Sequence, residues 1–295
     1  MNSELILQLT ANGLAQGALY AVVAVGFGLV YRSLRFFDIS YGAYFVIGPY
    51  ILFMVNNKIG MPLWAGIFFS LIGTTIFAGV LYFSVYSRLL EKKTGSQVLL
   101  VVSLGISIIV ENVIALRFGN QRIYLAVSSG SSLKFGTVSL SRLQVVQTGI
   151  CLFILIFMSV AIRTKIYPKT LWALGDDPEL LDAFGLSSRF IGLIIYMCAG
   201  FLAACASALS SLDVGMDPHI GLPSLLTAAV AVMIGGADSW KGWIFGGLIL
   251  ALIQNLIVVV ISYRWSSFVS FALLIAILLF KPTGLFGVPK RVEDV

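Results

Sequence analysis

The chain has 295 residues, of which 59% are hydrophobic and only 11% charged. A water-soluble fold of that composition would lack the polar surface to cover its core, so the bilayer is its expected solvent. The net charge of +6 does not point to nucleic acid, because the Lys and Arg residues sit mainly in short segments between apolar runs, as membrane topology requires.

A membrane helix takes about 20 apolar residues. Runs of that order fall at 5–31, 39–56, 62–86, 97–116, 145–162, 189–212, 222–236, 241–262 and 266–280. The predicted fold class is therefore all-α, a polytopic bundle of eight or nine transmembrane segments forming a single domain over 1–295. The first run is preceded by Glu4 with no Lys or Arg and is too long for a signal h-region, so it reads as a retained helix. Segment 222–236 lies between Pro223 and the Gly235–Gly236 pair, short enough to be a half-helix lining a cavity. Small residues at helix-contact spacing, in Gly13-x-x-x-Gly17, Gly242-x-x-x-Gly246 and the Ala199, Ala203 pair, suit close packing in lipid. Cys151, Cys198 and Cys205 lie within apolar runs without metal-ligand spacing and read as small hydrophobes.

Lys and Arg near span ends are retained in the cytoplasm. The basic residues of 87–96, 163–189 and the tail place these three segments inside, while 213–221, with Asp213 and Asp217 and no Lys or Arg, fits the outside. Nine crossings then put the N-terminus outside and the C-terminus inside. The 117–144 connection must be outside despite Arg117, Arg122, Lys134 and Arg142, which opposes the charge rule.

Ionisable and amide side chains are costly inside a membrane and default to functional candidates. Asn12 and Gln16 stand one turn apart in the first segment, Glu111 and Asn112 in the fourth, Gln254 and Asn255 in the eighth. They either line a translocation path or hydrogen-bond between helices. Glu111 is the only clear intramembrane carboxylate, which argues against a proton relay.

The hydrophilic break at 163–189, RTKIYPKTLWALGDDPELLDAFGLSSR, contains a complete set of helix signals. Asp176 or Asp177 can cap, Pro178 fits the first turn, Glu179 and Asp182 favour the N-terminal half, and Gly185 can end the helix. The spacing predicts a short helix over 178–184 with an apolar ridge of Leu180, Leu181 and Phe184. That ridge either docks a partner or packs against the protein's own membrane domain.

Signals for catalysis are nearly absent. His219 is the single histidine and sits in a predicted turn, so a His-based triad or metal cluster has no partners. No G-x-x-x-x-G-K-[ST] occurs, so any ATP must be bound by another polypeptide. No catalytic or metal-ligating residue is assigned to this chain.

With these residues in place, the sequence resembles the branched-chain amino-acid ABC transporter permease family, in particular its LivH-type subunit. The similarity runs through the Gly-rich opening at 13–50, VSLGISIIVEN at 102–112, the second-half block DPHIGLPSLLTAAVAVMIGGADSWKGWIFGGLILALIQN at 217–255, and the ending at 270–287. Asp38-Ile39-Ser40-Tyr41-Gly42 stands where the family more usually has Asn-Phe-Ala-His-Gly, and Lys169-Thr170-Leu171-Trp172-Ala173 lacks the common Arg-rich lead-in. The resemblance implies a multi-pass plasma-membrane subunit of a binding-protein-dependent importer for branched-chain or related amino acids, with urea or short amides as the alternative solutes. It also implies a related second permease, two ATPase subunits carrying ATP and Mg, and an extracytoplasmic solute-binding protein. In such proteins the loop before the sixth segment contacts the ATPase, which makes Asp177, Pro178, Glu179, Leu180, Leu181, Asp182, Phe184 and Gly185 the candidate coupling residues. The rival classes are a secondary transporter or channel working without an ATPase, and a membrane-embedded enzyme, which the poor inventory of His and paired carboxylates disfavours.

Overall fold

A computed structural model describes residues 3–125, 133–135, 138–163, 167–261 and 265–287. Each of the nine apolar runs forms a helix, because in lipid the backbone must satisfy its hydrogen bonds within the segment. In chain order these are α1 (Ser3–Leu34), α2 (Tyr41–Phe53), α3 (Leu63–Leu81) continued by α4 (Ser87–Glu91), α5 (Ser96–Phe118), α6 (Arg142–Arg163), α9 (Ser188–Val214), α10 (Gly221–Gly235), α11 (Trp240–Ile261) and α12 (Ser266–Phe280). Between α6 and α9 lie two further helices, α7 (Tyr167–Asp176) and α8 (Pro178–Ala183). Wider π turns at Met54–Lys58 and Tyr82–Tyr86 extend α2 and join α3 to α4.

Seven of the described helices are long and apolar enough to cross a bilayer. Segment 222–236 is among them: a 3₁₀ turn, Pro218–Ile220, runs directly into α10, and the two together make an 18-residue apolar stretch. Two apolar helices are shorter: α2, whose 13 residues rely on the following π turn for additional length, and α12, with 15.

The most buried of the long helices is α1, with 83% of its central window buried, against 22% for α5 and for α6. It is the axis of the bundle, packed chiefly on α11, α9 and α10, while α5 and α6 form an outer wall rich in exposed Ile, Leu, Val and Phe. The small-residue spacings explain the tightest contacts. A Cβ on Gly13 or Gly17 would lie 3.0 Å from a Leu252 or Leu248 methyl on α11, and one on Gly246 would lie 2.0 Å from the Ala231 carbonyl oxygen on α10. Ala199 and Ala203 are fully buried on α9. Cys151 and Cys205 are buried and Cys198 partly so, all three as free thiols.

The connection between α5 and α6 departs from a purely helical fold with a small antiparallel hairpin, β1 (Leu133–Phe135) and β2 (Val138–Leu140). The Gln8 side chain on α1 both donates to and accepts from the Ser139 backbone at 2.8 Å. Ile123 and Met216 exchange backbone hydrogen bonds at 2.9 and 2.8 Å, and Arg122 stands 3.9 Å from Asp217. The described parts of the 117–144 connection therefore share one end of the bundle with the start of α1 and the 213–221 turn. The acidic turn and the basic connection belong together, so the charge conflict is met partly by pairing across them.

Candidate functional site

At the opposite end, α8 forms as its caps dictate. The Asp177 carboxylate accepts from the backbone N–H groups of Glu179 and Leu180, both at 3.0 Å, Pro178 opens the helix, and Gly185 takes a φ of +79° just beyond it. Asp182 points away from its own helix: it accepts from the Ser188 N–H at 2.7 Å and from the Ser188 hydroxyl at 2.9 Å, binding the end of α8 to the start of α9. The expected ridge is divided. Leu181 is 4% exposed and belongs to the core cluster that includes Leu174, whereas Leu180 and Phe184 are 55% and 77% exposed, beside exposed Leu186. Leu181 is thus an internal anchor, and the outward apolar face consists of Leu180, Phe184 and Leu186.

Helix α7 is an addition to the helix expected over 178–184; its local signals are Pro168 near its start and the apolar Trp172 and Leu174. Its last residues are held by α1. Asp176 Oδ1 meets Arg32 Nη1 at 3.3 Å and Arg35 Nη2 at 2.5 Å, while Arg35 Nε donates to the Gly175 carbonyl at 3.1 Å. Partial burial alone would raise the Asp176 carboxyl, but hydrogen bonds and charge from Arg32 and Arg35 outweigh it and hold it below the usual carboxylate range. Lys93 pairs with Glu179, and that hydrogen bond raises the Lys93 amine above its ordinary value. Arg189 pairs with Glu91 at 3.2 Å and lies over the Phe83 ring at 4.6 Å. These pairs rim a cavity of about 530 Å³ between α8, α4 and the ends of α1 and α9, lined by Tyr82, Ser87 and Leu90 as well as the ions.

The six amide and carboxylate candidates within the bundle separate by geometry. Asn255 donates to Gln16 Oε1 at 2.9 Å, Gln16 donates to the Tyr20 hydroxyl at 2.8 Å, and Gln8 donates to Asn12 Oδ1 at 3.3 Å. Asn12, Gln16 and Asn255 thus belong to a polar strip along α1 and α11. Gln254 is buried and donates to the Ser270 hydroxyl, which attaches α12 to α11. Glu111 reaches across to the 3₁₀ turn and contacts His219 Nδ1 at 3.1 Å, so the single histidine has a partner that local sequence did not reveal. Asn112 is exposed on α5 with its amide bonded back to the Ile108 carbonyl at 2.8 Å.

A second polar cluster had no local signal beyond the Asp38 substitution itself. Asp38 is fully buried, and its Oδ1 accepts from the Ser40 N–H at 2.9 Å, the Ser40 hydroxyl at 2.7 Å and the Tyr86 hydroxyl at 3.0 Å. The Ser40 hydroxyl is also 3.2 Å from that of Tyr44, and the Ile39 N–H donates to Ser103 on α5 at 3.0 Å. Tyr196 on α9 packs its ring against Tyr86 at 5.2 Å. The turn before α2 is thereby a node joining α2, the α3–α4 junction, α5 and α9.

Among the described residues there is no group of three or more His, Cys, Asp or Glu side chains placed to hold a metal ion. The family model for the permease component of the branched-chain amino acid transport system matches residues 9–278. The chain is 28% identical over 302 residues to the high-affinity branched-chain amino acid transport system permease protein LivH of Salmonella typhimurium, covering 98% of this chain and 97% of that protein. It is 27% identical to the corresponding permease protein BraD of Pseudomonas aeruginosa, covering 98% of each. Among solved structures, PsaBC from Streptococcus pneumoniae in complex with Fab aligns with a TM-score of 0.51 at 12% identity, over 92% of this chain and 91% of that one, a likeness of fold alone.

Proposed function

The chain belongs to the permease-component family of the branched-chain amino acid transport system, and from that premise we propose that it is the membrane-spanning half of a binding-protein-dependent, ATP-driven importer for branched-chain or related amino acids. It is a multi-pass membrane permease of the ABC transport type. In the proposed assembly a binding protein delivers solute at the end carrying the 213–221 turn, a related permease completes the pathway, and two ATPase subunits supply ATP hydrolysis with Mg from the cytoplasmic end.

The observation that carries this reading is the construction of α8. Two large apolar side chains, Leu180 and Phe184, stand exposed on a capped helix that is itself held from behind by Leu181 and by the Asp182–Ser188 bonds. An outward apolar face on a rigid mount suits a groove in a partner, and its mount suits transmission of force to α1 and α9. Glu111 and Asn112, at the outer wall, are the pathway candidates that the packing of α1 and α11 does not absorb.

The test is co-purification with the cognate ATPase subunits. Leu180→Asp and Phe184→Ala are expected to leave the permease inserted and folded while weakening ATPase retention, since loss of a central interface anchor costs about 2 kcal/mol or more. Undiminished retention in both variants would mean that α8 is not the docking element. If the wild type retained no ATPase at all, a secondary transporter or channel would be the better reading.

A further inference from the structure

The coupling loop is attached to the bundle at several points, but one side chain serves two separate elements. Arg32, in the last turn of α1, has its side chain 12% exposed. Its Nη1 lies 3.3 Å from Asp176 Oδ1 at the α7–α8 junction, and its Nε lies 2.7 Å from Asp238 Oδ1 in the α10–α11 turn, an ion-pair contact set off the line of the N–H bond. Two carboxylates from segments 62 residues apart therefore share one guanidinium, whose planar fork suits such double contact better than an ammonium would.

Both arms rest on close backbone packing against α1. A Cβ on Gly175 would fall 2.3 Å from the Arg32 carbonyl oxygen, so the α7–α8 junction sits directly on the end of α1. On the other side, Trp243 is fully buried, donates through Nε1 to the Ala237 carbonyl at 3.2 Å, and lies where a Cβ on Gly28 would be 2.5 Å from its ring. The α10–α11 turn is thus pinned to α1 one helical turn before Arg32. The C-terminal segment follows α10, with Leu285 and Phe286 donating to the carbonyls of Ile234 and Gly235 at 2.9 Å. Trp172, Trp240 and Trp243 line the same small space as Arg32 and limit its access to water, which strengthens its charge contacts.

We infer that Arg32 is the joint through which displacement of the α7–α8 loop is passed to the α10–α11 turn, a positioning residue that makes the two cytoplasmic segments move with α1 as one body. The inference rests on the reading of α8 as the ATPase-docking helix. Arg35 reinforces the Asp176 arm, through Asp176 Oδ1 and the Gly175 carbonyl. The joint acts on coupling between hydrolysis and transport, a quantity that general destabilisation of the fold does not select.

The experiment measures ATP hydrolysed per solute imported by the complete complex reconstituted in liposomes, with ATPase retention measured in parallel. Arg32→Gln is expected to retain the ATPase and to raise the ratio about fivefold or more, the lower range of ordinary site-to-site coupling. Asp238→Asn, on a partly exposed turn, should raise the ratio without touching the docking loop, and the Arg32→Gln/Asp238→Asn double variant should be no worse than Arg32→Gln alone. A wild-type ratio in Asp238→Asn, or effects that multiply in the double variant, would overturn the joint. Loss of ATPase from Arg32→Gln would also overturn it, assigning Arg32 to support of the docking face only. Should the Arg32→Gln permease itself fail to fold and insert, Asp238→Asn decides by itself. Failure of the docking reading looks different, because there the Leu180→Asp and Phe184→Ala variants keep their ATPase.

Discussion

Leu180, Leu181 and Phe184 show what neighbouring positions on one short helix can do differently. Leu181→Ala removes a side chain from the core and is expected to lower stability by about 2–5 kcal/mol, whereas Phe184→Ala, at 77% exposure, should stay within about 0.5 kcal/mol. Thermal unfolding of the purified chain in detergent would separate them, and equal losses would contradict the division. The Asp176 carboxylate gives a pH dependence with a definite sign. Its folded-state pKa lies below the free value of 3.8, so its contribution to loop attachment is complete above that value and is lost as pH falls through the lower, folded one. Protease resistance of the α7–α8 loop should therefore be flat from about pH 8 to about pH 5, while Asp176→Asn should be more easily cleaved even at neutral pH. A wild-type loop that loosened across that neutral range would contradict the assignment.

At the scale of elements, the close approach of α10 and α11 depends on glycine, since a Cβ on Gly246 would overlap the Ala231 carbonyl oxygen and one on Gly235 the Gly242 carbonyl oxygen. Gly246→Leu must force the helices apart and should abolish recovery of folded protein, while Gly105→Ala, where no atom lies within 4 Å of the added Cβ, should be recovered at wild-type level. Size-exclusion profiles of the two variants test the contrast. The nine apolar helices were legible in the sequence because bilayer thickness sets run length, a property of each segment alone. Helix α8 was legible because its caps are local, from Asp177 to Gly185. The burial of Leu181, the Glu111–His219 contact and the Asp38 node were not, because their partners lie elsewhere in the chain: Tyr86 is 48 residues from Asp38, and His219 is 108 from Glu111. Helix α7 is hard to read locally because its start is polar and its apolar face is short.

In the whole molecule, α1 joins two polar ends of the bundle. One end gathers the described parts of the 117–144 connection, the start of α1 and the 213–221 turn; the other gathers the ion pairs of Arg32, Arg35, Lys93 and Arg189 around α8. Cysteines introduced at Val214 and Lys281 should accordingly be labelled by an impermeant maleimide from opposite faces of the membrane, and labelling of both from one face would refute the topology. In the proposed function this chain conducts an amino acid only when an ATPase works upon it. The direct measurement is uptake of radiolabelled leucine into proteoliposomes containing the full complex, with binding protein outside and nucleotide inside. Accumulation is expected to require hydrolysable ATP and to disappear with a non-hydrolysable analogue, while uptake by this chain alone, driven by a proton gradient without ATPase or nucleotide, would contradict the proposed function.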